Sequence, residues 1–190
     1  RHYIMRKILF IICWALAGVG LYSCSLDEPS YGKTTSDNYY QKESDIEQAL
    51  TGAYLQLRTT WNEYALNHYF VGDCSTDDAL KGGGNDGDRA EVRDLSDFTI
   101  YTTNGEVGRR WEILYRLINR CNDVIYYAPD AIGNEELLKR YANEAKALRA
   151  FGYYCLVTTF GEVPLITTPM QPAEILQIPR SPLEKVYECI

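Results

Sequence analysis

The chain has 190 residues, enough for one domain, with 46% apolar and 24% charged residues and a formal charge of −7. An acid excess of this size, with no basic cluster able to neutralise phosphates, excludes a nucleic-acid-binding surface. Sixteen tyrosines against five phenylalanines is an unusual ratio. Tyr joins a large apolar face to a hydroxyl, which suits wet binding surfaces as well as helix packing with the hydroxyl turned to water.

Arg6-Lys7 precede an apolar run over 8–22 that ends in Ser23-Cys24. A short basic region, a short apolar core and a small residue before the break predict a secretory signal over 1–23, with translation starting at Met5. The run is too short for a comfortable transmembrane span. Leu21-Tyr22-Ser23-Cys24 resembles a bacterial lipobox, in which cutting before the cysteine leaves a thiol and an amine for acylation. Tyr22 is larger than the residue usual at its place, and the alternative is an ordinary signal peptide followed by a free cysteine. Buried acyl chains contribute about 0.8 kcal/mol per methylene, so a multiply acylated Cys24 anchors firmly. Ser25-Leu26-Asp27-Glu28 resembles the acidic signal with which Bacteroidetes send lipoproteins to the outer face of the outer membrane. Loss of Arg1, Arg6 and Lys7 takes the basic count from 19 to 16 against 26 acidic residues, a balance of −10. The excess acid serves solubility.

Residues 24–36 hold Cys24 and a tether of Pro, Gly, Ser and Thr without periodicity. The remainder, 37–190, reads as one helical domain. Its first helix is expected to open at Ser44, whose spacing to Glu47 fits a capping box. Ile46, Ala49, Leu50, Ala53, Tyr54 and Leu57 form its stripe, which ends near Thr59. Residues 61–74 are aromatic-rich and fit either helix or extended chain. Residues 72–94 are the most irregular part, because three successive glycines, Gly82 to Gly84, cannot sit inside a stable helix or strand. Asn85-Asp86-Gly87-Asp88 faintly suggests a calcium loop but lacks its ligand spacing and closing Glu, so a solvated turn is expected. Residues 95–102 read as a short extended segment.

The next helix is expected over 107–127. Val107, Trp111, Leu114, Ile118, Cys121 and Ile125 form its apolar stripe, and Pro129 ends it. A short loop leads to a helix of about 25 residues capped by Asn134 and stopped at Phe160-Gly161, with Pro164 beyond. Its face runs Leu137, Tyr141, Ala145, Leu148, Gly152, Cys155, Thr159. The short connection makes the two helices antiparallel neighbours. Asn122 and Arg149 flank the two stripes and are expected to be buried polar groups with partners. Residues 167–179 read as a Pro-punctuated loop. Ser181-Pro182-Leu183-Glu184 predicts a further helix with an N-cap Ser. That helix is cut at Ile190 after about two turns, so the chain is expected to be the N-terminal piece of a larger protein. No 34-residue sequence repeat is convincing, although the helix pairs have tetratricopeptide-like proportions.

With Cys13 in the signal and Cys24 lipidated, Cys74, Cys121, Cys155 and Cys189 remain. There is no CxxC, and His68 is the only histidine left, so no zinc site or other cofactor is expected. Cys121 and Cys155 fall on apolar helix faces and read as buried thiols. A disulfide between them is the alternative in an exported protein.

An ordered set of motifs now carries a resemblance. The set comprises Cys24 with Leu26-Asp27; Asn38-Tyr39-Tyr40; Ala49-Leu50 with Gly52-Ala53-Tyr54; Gly72-Asp73 with Thr76-Asp77-Asp78; Trp111, Tyr115, Ile118, Arg120, Asn122 and Ile125; Glu144-Ala145 with Leu148-Arg149-Ala150 and Tyr153; Phe160-Gly161 with Val163-Pro164-Leu165; and Ile178 with Arg180-Ser181-Pro182. Their types and order resemble the N-terminal part of SusD/RagB-type nutrient-binding outer-membrane lipoproteins of Bacteroidetes. The resemblance implies an all-α scaffold of tetratricopeptide-like antiparallel helix pairs with long irregular loops, incomplete at its C-terminus. It also implies a non-enzymatic surface protein that captures an oligosaccharide and delivers it to a TonB-dependent, SusC-like transporter. Aromatic rings stack on sugar faces and carboxylates or amides take the hydroxyls, which makes Trp61, Tyr64, Asp77, Asp78, Asn85 and Asp86 the ligand candidates on loops over a rigid scaffold. The alternatives are a peptide or other nutrient taken by the same machinery, a helical scaffold that binds protein alone, or a surface-anchored glycoside hydrolase using Asp77 and Asp78. Adjacent carboxylates on flexible chain rarely hold the facing separation that hydrolysis needs.

Overall fold

A computed structural model describes residues 39–58 and 68–190, all within the unit Thr35–Ile190. The readings placed on the signal, Cys24, the tether, Trp61 and Tyr64 fall outside the described residues.

Six α-helices organise the described chain. These are α1 (Glu43–Tyr54), α2 (Ala90–Ser96), α3 (Gly105–Tyr127), α4 (Glu135–Phe160), α5 (Pro172–Ile175) and α6 (Leu183–Cys189). Among the described residues there is no sheet, only two isolated bridges, Lys42 with Ile132 and Val163 with Ser181. The protein is all-α, with helix pairs of tetratricopeptide type.

The stripes explain the packing. Ile46, Leu50 and Ala53 of α1 are buried against Leu117, Cys121 and Val124 of α3 and Leu138, Tyr141, Ala145 and Leu148 of α4. Further along, Ile113, Leu114 and Ile118 of α3 meet Tyr153, Cys155, Leu156 and Val157 of α4, closed off by Val163 and by Val186 of α6. At 23 and 26 residues, α3 and α4 run about 35 and 39 Å, so one helix pair carries both cores. At Gly152 the two helices pack tightly: a Cβ there would lie 3.0 Å from Ile118 Cγ1. Asn134 caps α4, its Oδ1 accepting from Glu136 and Leu137 N–H at 2.9 and 3.3 Å. The helix stops at Gly161, at φ 72° and ψ −127°, a conformation glycine takes without strain.

The segment after α4 folds back over the helix pair, and its backbone is satisfied by side chains. Tyr153 Oη donates to Ile166 O at 2.8 Å and accepts from Ile166 N–H at 2.6 Å. Asn122, fully buried, donates to Ile166 O at 2.9 Å. Half-buried Arg149 donates to Asn122 Oδ1 and to Thr167 O, each at 3.0 Å. Tyr115 Oη donates to Pro164 O at 2.7 Å. Cys74, Cys121 and Cys155 are buried thiols and Cys189 is a half-buried one.

Four local expectations are corrected. α1 opens at Lys42, not Ser44, because Glu43 N–H donates to Ile132 O and Ile132 N–H to Gln41 O, fixing the entering chain. Asp45 then caps Lys42 N–H at 3.0 Å. Residues 95–102 are not an extended segment: Leu95 and Ser96 end α2, and Leu95 is buried with Val92, Phe70 and Cys74. Residues 167–179 contain α5, whose Glu174 carboxylate accepts from Gln171 N–H at 2.9 Å. Ser181 does not cap α6; its N–H is drawn into the bridge to Val163 O, and the helix starts after Pro182.

Candidate functional site

The loops that precede α3 are built on a small core of their own. The turn His68–Asp73 places Phe70 against Cys74, Val92 and Leu95. Asn104 then welds α2 to the start of α3. Its Oδ1 accepts from Glu106 and Val107 N–H, and its Nδ2 donates to Glu91 O at 2.9 Å. The Glu91 carboxylate accepts from Gly105 N–H at 3.1 Å. Buried Glu106 pairs with Arg89 at 3.5 Å, and the Arg89 guanidinium lies 4.8 Å from the Phe70 ring centre. These contacts fix a loop face at the N-terminal end of the long helix pair.

Large apolar side chains stand out from that face. Phe98 is 67% exposed, Tyr101 63% and Tyr69 55%. Phe98 has a φ of 56°, a left-handed conformation that is an outlier for a bulky residue and costs on the order of 1–3 kcal/mol. The backbone at Phe98 is therefore strained, and its ring is exposed among the described residues. Beneath lies a cavity of about 480 Å³, lined by Val71, Ser75, Ile100, Arg110, Thr159 and Phe160 among others. Arg110 at its floor is buried, donates from Nε to Thr159 Oγ1 at 2.8 Å, and has its pKa lowered by burial.

The polar candidates lie on the turns between Cys74 and α2. Asp77 and Asp78 are exposed on the turn after Cys74, where Thr76 Oγ1 accepts from Asp78 N–H at 3.2 Å. The Asn85 side chain is engaged locally, its Oδ1 accepting from Gly87 and Asp88 N–H at 2.9 and 3.1 Å. Its carbonyl takes Lys81 Nζ at 2.7 Å. Asp86 is exposed, and its carbonyl accepts from Arg93 Nη1 at 3.0 Å. Among the described residues no three His, Cys, Asp or Glu side chains gather as a metal site, and 85–88 form a turn closed by Asn85.

Sequence reasoning misses Phe98, Ile100, Tyr101 and Arg110 as surface or cavity residues. A short extended segment over 95–102 carries no expectation of which of its side chains face solvent. The Asn104-Gly105-Glu106 start of α3, one residue after Thr103, is the signal that the segment is a turn.

Comparison with known proteins adds three findings. The model of a SusD-like family, described as starch-binding and associating with the outer membrane, matches residues 25–190. SusD-like protein P2 of Formosa agariphila is 30% identical over 189 residues, 97% of this chain and 35% of that protein, and SusD-like protein P25 of the same organism is 24% identical over 196 residues, covering 97% and 36%. A laminarin-binding SusD-like protein superposes with a TM-score of 0.70 at 31% identity, covering 79% of this chain and 32% of that one. Surface glycan-binding protein A from Bacteroides fluxus follows at 0.63 and 28%, covering 78% and 31%. The chain thus spans about a third of the length of the relatives it matches.

Proposed function

This chain belongs to the SusD-like family, and from that premise we propose that the whole protein is a cell-surface lipoprotein, anchored through Cys24, that captures a nutrient oligosaccharide and delivers it to a TonB-dependent transporter of the outer membrane. The loop face before α3 contributes to capture. The observation that carries this assignment is Phe98, exposed with Tyr101 on the segment between α2 and α3 at a left-handed backbone position. A sugar ring presents a weakly apolar face that stacks on such rings, while its hydroxyls take hydrogen bonds from carboxylates and amides. Asp77, Asp78 and Asp86 would supply the carboxylates to the ligand, and Asn85 an amide. Trp61 and Tyr64 belong to the segment between α1 and the His68–Asp73 turn and extend the aromatic supply.

The protein binds its ligand without cleaving it. Glycosidase carboxylates face each other across about 5–10 Å, whereas Asp77 and Asp78 are neighbours on an exposed turn. Similarity to a laminarin-binding protein supports a neutral glucan as the first ligand to try. Asn122 and Arg149 act as scaffold, tying 166–167 to the helix pair.

Binding of soluble glucans to the full-length protein tests this. Stacking contributes on the order of 1–3 kcal/mol per ring, by analogy with bases on aromatic platforms, so Phe98→Ala with Tyr101→Ala should weaken affinity tenfold or more. Asp77→Ala with Asp78→Ala should weaken it less. Affinity untouched by either pair would remove the site from this face.

A further inference from the structure

At the opposite end of α3, four tyrosines form a connected array that the loop face does not use. Tyr40 and Tyr127 stack with centroids 4.3 Å apart and planes 3° apart. Tyr126 meets Tyr127 edge-on at 4.9 Å, and Tyr39 meets Tyr40 edge-on at 4.8 Å. Tyr40 Oη donates to Asp123 Oδ2 at 3.3 Å. The rings of Tyr40 and Tyr127 are half-buried, but Tyr126 is 57% exposed. An exposed ring braced by stacked neighbours has little conformational freedom left to lose on binding, the economy that makes Tyr frequent in recognition surfaces.

The array forms one wall of a groove of about 540 Å³, whose other wall is the strap 168–171 with Glu174 of α5. That volume falls within the range of pockets that take small ligands, about 300–1,000 Å³. Beside the hydroxyls of Thr168 and the three lining tyrosines, its polar groups include the amides of Asn119 and Gln171 and the carboxylates of Asp123 and Glu174. None of its lining residues is Lys or Arg. Flat aromatic wall, two amides and two carboxylates make a set suited to a polyhydroxylated ligand. Two carboxylates with no Lys or Arg in the lining disfavour a ligand that carries acid groups of its own, Arg120 acting on Asp123 from outside the lining.

We propose that this groove is a second saccharide site, selective for a neutral glycan and formed by Tyr126 on one wall and Asn119, Asp123, Gln171 and Glu174 around it. The proposal rests on the glycan-binding function above. Sixteen residues of α3 separate Arg110, beneath the loop face, from Tyr126, about 24 Å along the helix. The same sixteen residues turn the two positions about 160° apart around the helix, so a polymer long enough to pass round the helix pair would make the second contact at the effective concentration set by the first.

The test uses the full-length protein, a neutral glucan as both short oligosaccharide and long polymer, and a uronic-acid oligosaccharide. Calorimetry should give two short oligosaccharides per protein for the wild type and one for Tyr126→Ala. Tyr126→Phe should keep two. Polymer affinity should fall about tenfold or more in Tyr126→Ala and again when Phe98→Ala is added. The uronic-acid chain should leave the groove empty. Tetranitromethane should nitrate Tyr126 in the free protein and not in the saturated one. One oligosaccharide per protein, with affinity set wholly by the loop face, would overturn the second site and leave the function standing. A Tyr126 that resists nitration without ligand would do the same, showing the groove covered by the rest of the chain. No binding by any glycan would overturn both.

Discussion

Single buried polar residues fix how the chain returns over the helix pair. Asn122 is the central one: wholly buried, it donates to Ile166 O and accepts from Arg149. Asn122→Ala would remove one of the two donors to Ile166 O, leaving the Tyr153 hydroxyl, and one acceptor of the Arg149 guanidinium, so urea unfolding should show a loss of about 1–3 kcal/mol. Stability within about 0.5 kcal/mol of wild type would mean that water replaces the amide. Asp123, one residue on, has its carboxyl raised above the ordinary 3.8 by burial, against opposing pulls from the Tyr40 hydrogen bond and Arg120. The folded state then holds this proton more tightly than the unfolded state, so the group costs stability as pH rises from about 3.8 through the folded value. Asp123→Asn removes that cost. Its stability relative to wild type should rise with pH over that window and level off above it, and a difference independent of pH would contradict the assignment. Burial pushes Cys121 up to about 12 and also raises Cys155. At pH 8 iodoacetamide should modify neither until urea is added, since the thiolate is the reactive form. The positions of Asn122 and Arg149 beside two apolar stripes are legible from helical spacing. Ile166, 44 residues from Asn122, is not, because no local pattern encodes which carbonyl a buried amide will meet.

Among the elements, α3 and α4 carry most of the packing, and their ends follow from their own residues. Asn104 and Asn134 bond their first-turn N–H groups, and Gly161 takes a positive φ. Leu148 is buried in the core shared with α1. Leu148→Ala should destabilise the full-length protein by about 2–5 kcal/mol, with a urea midpoint within error of wild type as the contrary result. Gly161→Ala should cost about 1 kcal/mol or more, because a side chain is strained at that φ. α4 was legible almost to the residue because its caps are local. The short elements were not. Ser44 and Ser181 have good capping chemistry, but pairing of Lys42 with Ile132 and of Ser181 with Val163 decides where the backbone turns. Residues 95–102 alternate only from Phe98 to Ile100, among the described residues no strand pairs with them, and Val92 with Leu95 on one helical face settles the start of the segment as helix. Long-range contacts override weak local preferences where an element is only two turns long.

The described residues form a long helix pair, α3 with α4, and the two proposed binding surfaces lie toward opposite ends of α3. The abundance of Tyr was visible in composition, and so was the loop-rich stretch before α3. Which rings stay in water was not, because exposure of Phe98, Tyr101 and Tyr126 depends on neighbours distant in sequence. Cys24 supplies the proposed membrane attachment. Cys24→Ala should abolish incorporation of labelled palmitate and release the protein from the detergent phase, and equal label in both forms would remove the anchor. The central claim is that this protein binds a glycan and leaves it whole. It is tested most directly by titrating the full-length protein with laminarin and starch in a calorimeter while following reducing ends in the same samples over hours. The account predicts saturable heat with at least one glucan and no growth of reducing ends. Steady release of reducing ends that is abolished by Asp77→Ala with Asp78→Ala would contradict it.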